Sequence, residues 1–191
     1  MERSTGQKIN TAIFISGRGS NLKSLIAFSQ KKKSPIRIKL VISNNKKAKG
    51  LNYIKNYKLN KFIVNYSNIK KAENNILKKL KKSKIEFICL AGFMKILSSN
   101  FIKRFNNPIL NIHPSLLPKY KGLNTHLRVI NNNETFTGAT VHLVTEKLDS
   151  GKIILQKKVK VFKNDDEKNL SKRVLKAEHQ LYPKAIIKFL N

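Results

Sequence analysis

TAIFISGRGSNLKSLIAFSQ, residues 11–30, changes character at its middle. TAIFIS (11–16) is a continuous apolar run, the pattern of a strand covered on both faces. NLKSLIAFSQ (21–30) spaces its apolar residues as a helix does. GRGSN joins the two, and a strand-to-helix turn rich in glycine is where open α/β sheets bind ligands. Gly17 and Gly19 let the backbone turn tightly, so that its N–H groups can approach an anion at the helix N-terminus, with Ser20 and Asn21 adding side-chain hydrogen bonds. The spacing lacks the third glycine of a dinucleotide fingerprint and the Gly-Lys-Ser/Thr ending of a nucleoside-triphosphate loop, which makes a phosphate monoester the better ligand. A plain structural turn is the competing reading.

The same alternation continues outward. IRIKLVIS (36–43), KFIVNY (61–66), EFICLAG (86–92) and ILNIH (109–113) read as strands. AKGLNYIKNY (48–57), IKKAENNILKKLKKSK (69–84) and SSNFIKRF (98–105) read as helices, the second with Ile69, Ala72, Ile76, Leu77 and Leu80 on one stripe and the third capped by Ser98 or Ser99. After a proline loop come a short helix, THLRVINN, two strands, GATVHLV and IILQKKVKVF, and a long helix that Pro183 should kink or split. The order implies an α/β fold: an open, mostly parallel, Rossmann-like sheet with helices on both faces and an antiparallel C-terminal strand pair across EKLDSGK. Residues 1–191 read as a single domain with residues 1–8 a frayed tail, the N-terminal half being the phosphate side and the C-terminal half the catalytic side.

Composition narrows the function. Forty Lys+Arg against ten Asp+Glu give the 191-residue chain a net charge of +30. Such a charge first brings nucleic acid to mind. The excess is almost all lysine, however, spread along the chain with asparagine and isoleucine, whereas arginine is the usual reader of phosphates and bases. The pattern reads as compositional drift on solvent-facing positions, and the field it creates would still draw in small polyanionic substrates. Cys89 is the only cysteine and lies in an apolar run, so no disulfide framework exists, which fits a reducing compartment. No apolar stretch is long enough for a membrane span.

LNIHPSLLPKYKG (110–122) holds the strongest chemistry. Asn111 and His113 are two apart on a strand and project to one face. An amide donor beside an imidazole can polarise a carbonyl, stabilise an oxyanion and supply a proton. Pro114 and Pro118 stiffen the following loop. An edge-of-core histidine bonded to a backbone carbonyl is the structural alternative. Asp149, in a Gly-containing turn, would favour the imidazolium and raise the pKa of His113 if the two meet; as a lone turn Asp it would serve only the turn. The four histidines show no metal-ligand spacing, and no metal is expected.

ISGRGSNL, LAGFMKIL, LNIHPSLLPKYKG, TGATVHLVTEKLDSGKIILQ and RVLKAEHQLYP, in this order, resemble the folate-dependent formyltransferases, on the branch that formylates phosphoribosylglycinamide, over roughly residues 9–190. The resemblance implies that Gly19, Ser20 and Asn21 hold the ribonucleotide 5′-phosphate and Glu178 its ribose. It implies that Phe93, Met94, Lys95, Ile96 and Leu97, with Asn111, bind the folate of 10-formyltetrahydrofolate. Asn111, His113 and Asp149 would be the catalytic residues, in a direct transfer with no metal. Arg18, Lys95, Asn124 and Leu175 depart from what related chains often carry, and Lys70 and Lys71 stand near where a basic residue would meet the folate tail. The expected enzyme is cytoplasmic, a monomer or homodimer, with small-molecule substrates and neither a dedicated nucleic-acid nor a membrane partner. A tRNA formyltransferase would need a further C-terminal domain and a formyltetrahydrofolate hydrolase an N-terminal one, for which the chain has no room. Those relatives, and a basic nucleic-acid-binding protein, are the alternatives.

Overall fold

The computed structural model describes residues 7–191. Strands and helices alternate as β1 (Ile9–Ile15), α1 (Ser20–Ser29), β2 (Ile36–Ser43), a 3-10 turn (Lys49–Leu51), α2 (Asn52–Lys55), β3 (Asn60–Ile63), α3 (Ile69–Lys82), β4 (Phe87–Leu90), α4 (Ser99–Phe105), β5 (Ile109–His113), α5 (Thr125–Asn131), β6 (Phe136–Leu143), β7 (Ile153–Lys160) and α6 (Glu167–Leu190). The strands hydrogen-bond in the order β3-β2-β1-β4-β5-β6-β7. The chain groups into two compact units, Met1–Ile109 and Leu110–Asn191.

In the first unit β1 runs parallel to both β2 and β4, and β2 parallel to β3. Ala12–Ile15 and Phe87–Cys89 are buried without alternation, as strands covered on both faces must be. Phe14 meets Phe93 and Phe101 edge to face, with ring centroids 5.3 and 6.4 Å apart, and Tyr66 also meets Phe93 edge to face at 5.7 Å. In the second unit β6 runs antiparallel to β7 and also to β5, one more antiparallel pairing than the sequence implied. Leu170, Val174, Ala177, Leu181, Ala185 and Ile186 bury the inner stripe of α6.

Three expectations need correction. Residues 48–57 do not form one helix. Gly50 sits in the 3-10 turn, where its backbone packs against Gly19 and its N–H donates to the Gly17 carbonyl (3.0 Å). Pro183 does not split α6, which continues unbroken to Leu190; one helical hydrogen bond is lost, but the flanking Leu181, Tyr182, Ala185 and Ile186 are buried and hold the helix in place. On α3, Ile69 is 54% exposed and Leu77 half-buried, while Glu73 occupies the inner stripe. Its carboxylate accepts the Ser98 N–H (2.8 Å) and the Ser98 hydroxyl, and Ser98, rather than Ser99, caps α4. Of the tail, residues 1–6 lie outside the described residues, and the Lys8 ammonium is bonded to the carbonyls of Ser29 and Lys31.

Gly19, at φ 74°, begins α1. A Cβ on Gly50 would lie 2.8 Å from the Gly19 Cα and 2.9 Å from Ile15 Cδ1, whereas one on Gly17 meets nothing within 4 Å. Gly50→Ala should therefore destabilise the fold by about 1–3 kcal/mol through overpacking. Gly17→Ala should stay within about 0.5 kcal/mol of the parent. Chemical denaturation midpoints of the two variants check the contrast.

Candidate functional site

β5 and β6 pair so that Asn111 lies opposite His142 and His113 opposite Thr140. Two residues two apart on one strand thus face two residues two apart on the other, and their side chains share one face. The turn that follows β6 delivers Asp149, whose backbone takes φ 45°. Short polar residues tolerate this left-handed conformation, and here it turns the carboxylate back toward the strands.

Asp149 is the hub, and it is 9% exposed. Its Oδ2 accepts the Gly122 N–H at 2.9 Å and lies 3.3 Å from His113 Nδ1; its Oδ1 lies 3.5 Å from His142 Nε2. His142 donates through Nδ1 to its neighbour's carbonyl, Leu143 O, at 2.8 Å. Its other nitrogen, Nε2, then accepts from the Asn111 amide nitrogen at 3.2 Å. This contact orients the Asn111 amide, leaving its second N–H for another acceptor. His113 Nε2 lies 2.8 Å from the Tyr120 carbonyl, to which it donates.

The His113 ring therefore faces an acceptor at each nitrogen, an arrangement that only the imidazolium satisfies fully. Burial nevertheless pushes its pKa below the ordinary histidine value. The Tyr120 carbonyl and the Asp149 carboxylate pull it back up, while His142 and Arg128 add to the depression. The Asp149 carboxylate raises the His113 pKa, as its charge implies, but desolvation outweighs it. For Asp149 burial works toward the neutral acid, yet the adjacent His142 ring, the hydrogen bond from the Gly122 N–H and the nearby His113 hold the carboxyl below its ordinary range.

The loop after β5 is fastened throughout. Thr140 Oγ1 donates to the Ser115 carbonyl (2.6 Å) and accepts the Leu117 N–H (3.1 Å). Gln156 Nε2 donates to both the Leu117 carbonyl (2.9 Å) and Thr140 Oγ1 (2.8 Å), and Ser115 Oγ donates to Lys119 O (2.7 Å). The Tyr120 hydroxyl donates to Glu134 at 2.8 Å, and its ring carries the Arg128 guanidinium at 5.3 Å. The prolines stiffen a segment that side chains already hold.

Asn111, His113 and Asp149 thus come together, and Glu178 is buried on α6 in the same unit. The other named residues belong to the first unit. Gly19 and Asn21 are buried and Ser20 half-buried at the start of α1. Phe93 and Leu97 are buried, and between them Met94 and Ile96 are 62% and 69% exposed with Lys95 also exposed. Two exposed apolar side chains on an anchored loop suit an apolar, planar ligand. His142 carries no sign of this role in its local sequence beyond its spacing from Thr140, which mirrors Asn111 and His113, and its place opposite Asn111 needs the strand register.

Among the described residues no group of three or more His, Cys, Asp or Glu side chains is placed to hold a metal ion, and no helix is long and apolar enough to cross a membrane.

Comparison with known proteins places the chain in a family. The formyl transferase family model matches residues 9–186. Phosphoribosylglycinamide formyltransferase of Haemophilus influenzae is 41% identical over 178 residues, covering 92% of this chain and 84% of the relative. The human trifunctional purine biosynthetic protein adenosine-3 is 41% identical over 183 residues, covering 94% of this chain, which spans only 18% of that longer relative. The crystal structure of phosphoribosylglycinamide formyltransferase from Brucella melitensis superposes with a TM-score of 0.91 at 41% identity, covering 96% of each chain. With most of its length matched in sequence and in fold, the chain belongs to the formyl transferase family.

Proposed function

We propose that this chain transfers the formyl group of 10-formyltetrahydrofolate to the amine of phosphoribosylglycinamide, a step of purine biosynthesis, as a cytoplasmic enzyme, monomeric or homodimeric, acting on small molecules. The observation that carries the reading is the Asn111–His142–Asp149–His113 cluster: a donor amide and an imidazole oriented by one buried carboxylate. Relatives named for this reaction support the choice of substrates. The Gly19–Asn21 turn takes the phosphate, Glu178 the ribose and Phe93–Leu97 with Asn111 the folate. The net charge of +30 would speed the arrival of polyanionic substrates.

As the substrate amine adds to the formyl carbon, negative charge grows on the formyl oxygen. Asn111, its amide turned by His142, donates to that oxygen. A well-aimed donor of this kind contributes about 10²–10³ in rate. His113 rests with a lowered pKa, and the growing negative charge beside it raises its affinity for a proton at the moment one is needed. Asp149 stays ionised and holds Nδ1, so the proton leaves from Nε2 once the Tyr120 carbonyl is exchanged for substrate. His113 passes it to the departing folate nitrogen, and the proton lost by the attacking amine balances the transfer.

The test is direct: purified protein mixed with both substrates should show deformylation of the folate that depends on the ribonucleotide. Absence of turnover overturns the reading. His113→Ala should lower kcat by about 10²–10⁴ while the ribonucleotide dissociation constant stays near the parent's; near-normal rates in that variant would refute the mechanism. Asp149→Asn removes an anion that raises the His113 pKa. The imidazole titration of His113, followed by NMR, should therefore lie below 6.5 in the parent and lower still in the variant.

A further inference from the structure

The last residue before the glycine turn has a place in the fold that its neighbours in sequence do not share. Ser16 follows β1 directly, and its N–H donates to the Gly92 carbonyl (3.0 Å) just as Ala91 N–H donates to Phe14 O (2.9 Å). The β1–β4 ladder thus extends beyond both strands, and the loops after them leave the sheet in step. The Ser16 hydroxyl then does two things at once. It accepts the Met94 N–H at 2.7 Å and donates to Asn44 Oδ1 at 2.5 Å, while Asn45 Nδ2 donates to the Ser16 carbonyl at 3.2 Å. One hydroxyl joins the loops after β1, β2 and β4.

Direction matters here. Asn44 Oδ1 can only accept, so it takes the hydroxyl proton and turns an Oγ lone pair toward Met94. The Met94 N–H belongs to the segment Phe93–Leu97, whose two exposed apolar side chains stand on backbone that must be held from outside. Its far end is held independently, through the Glu73 carboxylate on Ser98. Its near end has Phe93 seated between Phe14 and Tyr66, and then Ser16.

We infer that Ser16 is a positioning residue for the formyl-donor segment: although it lies in the turn assigned to phosphate, its hydroxyl sets the affinity for folate. This rests on the function proposed above and assigns a residue that the proposal leaves unused. The ribonucleotide turn proper, Gly17–Asn21, keeps its shape through Gly19 and Gly50, so the two ligand affinities should separate on mutation.

Calorimetric titration of the full chain with 5-formyltetrahydrofolate and, separately, with phosphoribosylglycinamide reads this out. Ser16→Ala orphans both the Met94 N–H and Asn44 and should weaken folate binding about tenfold, with the ribonucleotide constant within about twofold of the parent. Ser16→Thr, which keeps the hydroxyl, should restore folate binding. Asn44→Leu should copy Ser16→Ala, and Asn44→Asp, which keeps the acceptor, should not. A merely structural role would lower thermal stability without this split between ligands and without rescue by threonine. Loss of ribonucleotide binding with folate binding intact would make Ser16 a phosphate ligand and overturn the inference, as would two unchanged constants. A parent protein that binds neither ligand overturns the proposed function, and this inference with it.

Discussion

One buried carboxylate organises the catalytic half of the molecule. Asp149 reaches its place only because the turn after β6 adopts a left-handed residue there, and once in place it takes the Gly122 N–H and faces two imidazoles. Burying a charge is expensive unless partners replace its water. Three groups from three segments crowd around it instead: the loop after β5 donates the Gly122 N–H, β5 brings His113 to one oxygen and β6 brings His142 to the other. Any change that moves one of these segments leaves the carboxylate short of a partner. The charge therefore enforces the geometry of the site, independently of any contribution to chemistry.

The first unit reaches rigidity by other means. Its loops after β1, β2 and β4 carry no comparable charge, and they are joined by neutral hydrogen bonds around Ser16 and by aromatic contact at Phe93. Glu73 is the exception, and it too is spent on a backbone N–H and a hydroxyl. In a chain with ten acidic residues, two of the buried carboxylates each fix a loop that bears proposed ligand contacts.

Local pattern made much of this legible. A strand, a glycine turn and a helix could be read from TAIFISGRGSNLKSLIAFSQ because each signal lies within a few residues of itself. Asn111 and His113 could be placed on one face from the period of a strand alone. What stayed hidden depends on distant partners. His142 gains meaning only from the β5–β6 register, and Gly50 only from its contact with Gly19, thirty-one positions earlier. Glu73 sits on a stripe that periodicity assigned to apolar residues because Ser98, on another element, satisfies it. The direction of the His113 shift is a sum over burial and four neighbours, and no single spacing encodes a sum. Pro183 reads locally as a kink or a split, and packing on both sides keeps α6 continuous through it.

The long final helix acts as a ruler. Glu178 and Tyr182 stand one turn apart on α6, both buried, and the Tyr182 hydroxyl donates to the Leu110 carbonyl at 2.9 Å, one residue before Asn111. The same rigid rod thus presents Glu178 and steadies the strand that carries Asn111. Inserting or deleting one residue ahead of Glu178 would turn everything beyond it by about 100°, withdrawing the carboxylate and unhooking the phenol together. Lysines on the outer face of this helix leave both contacts alone, whereas a change of length before residue 178 would uncouple both at a stroke.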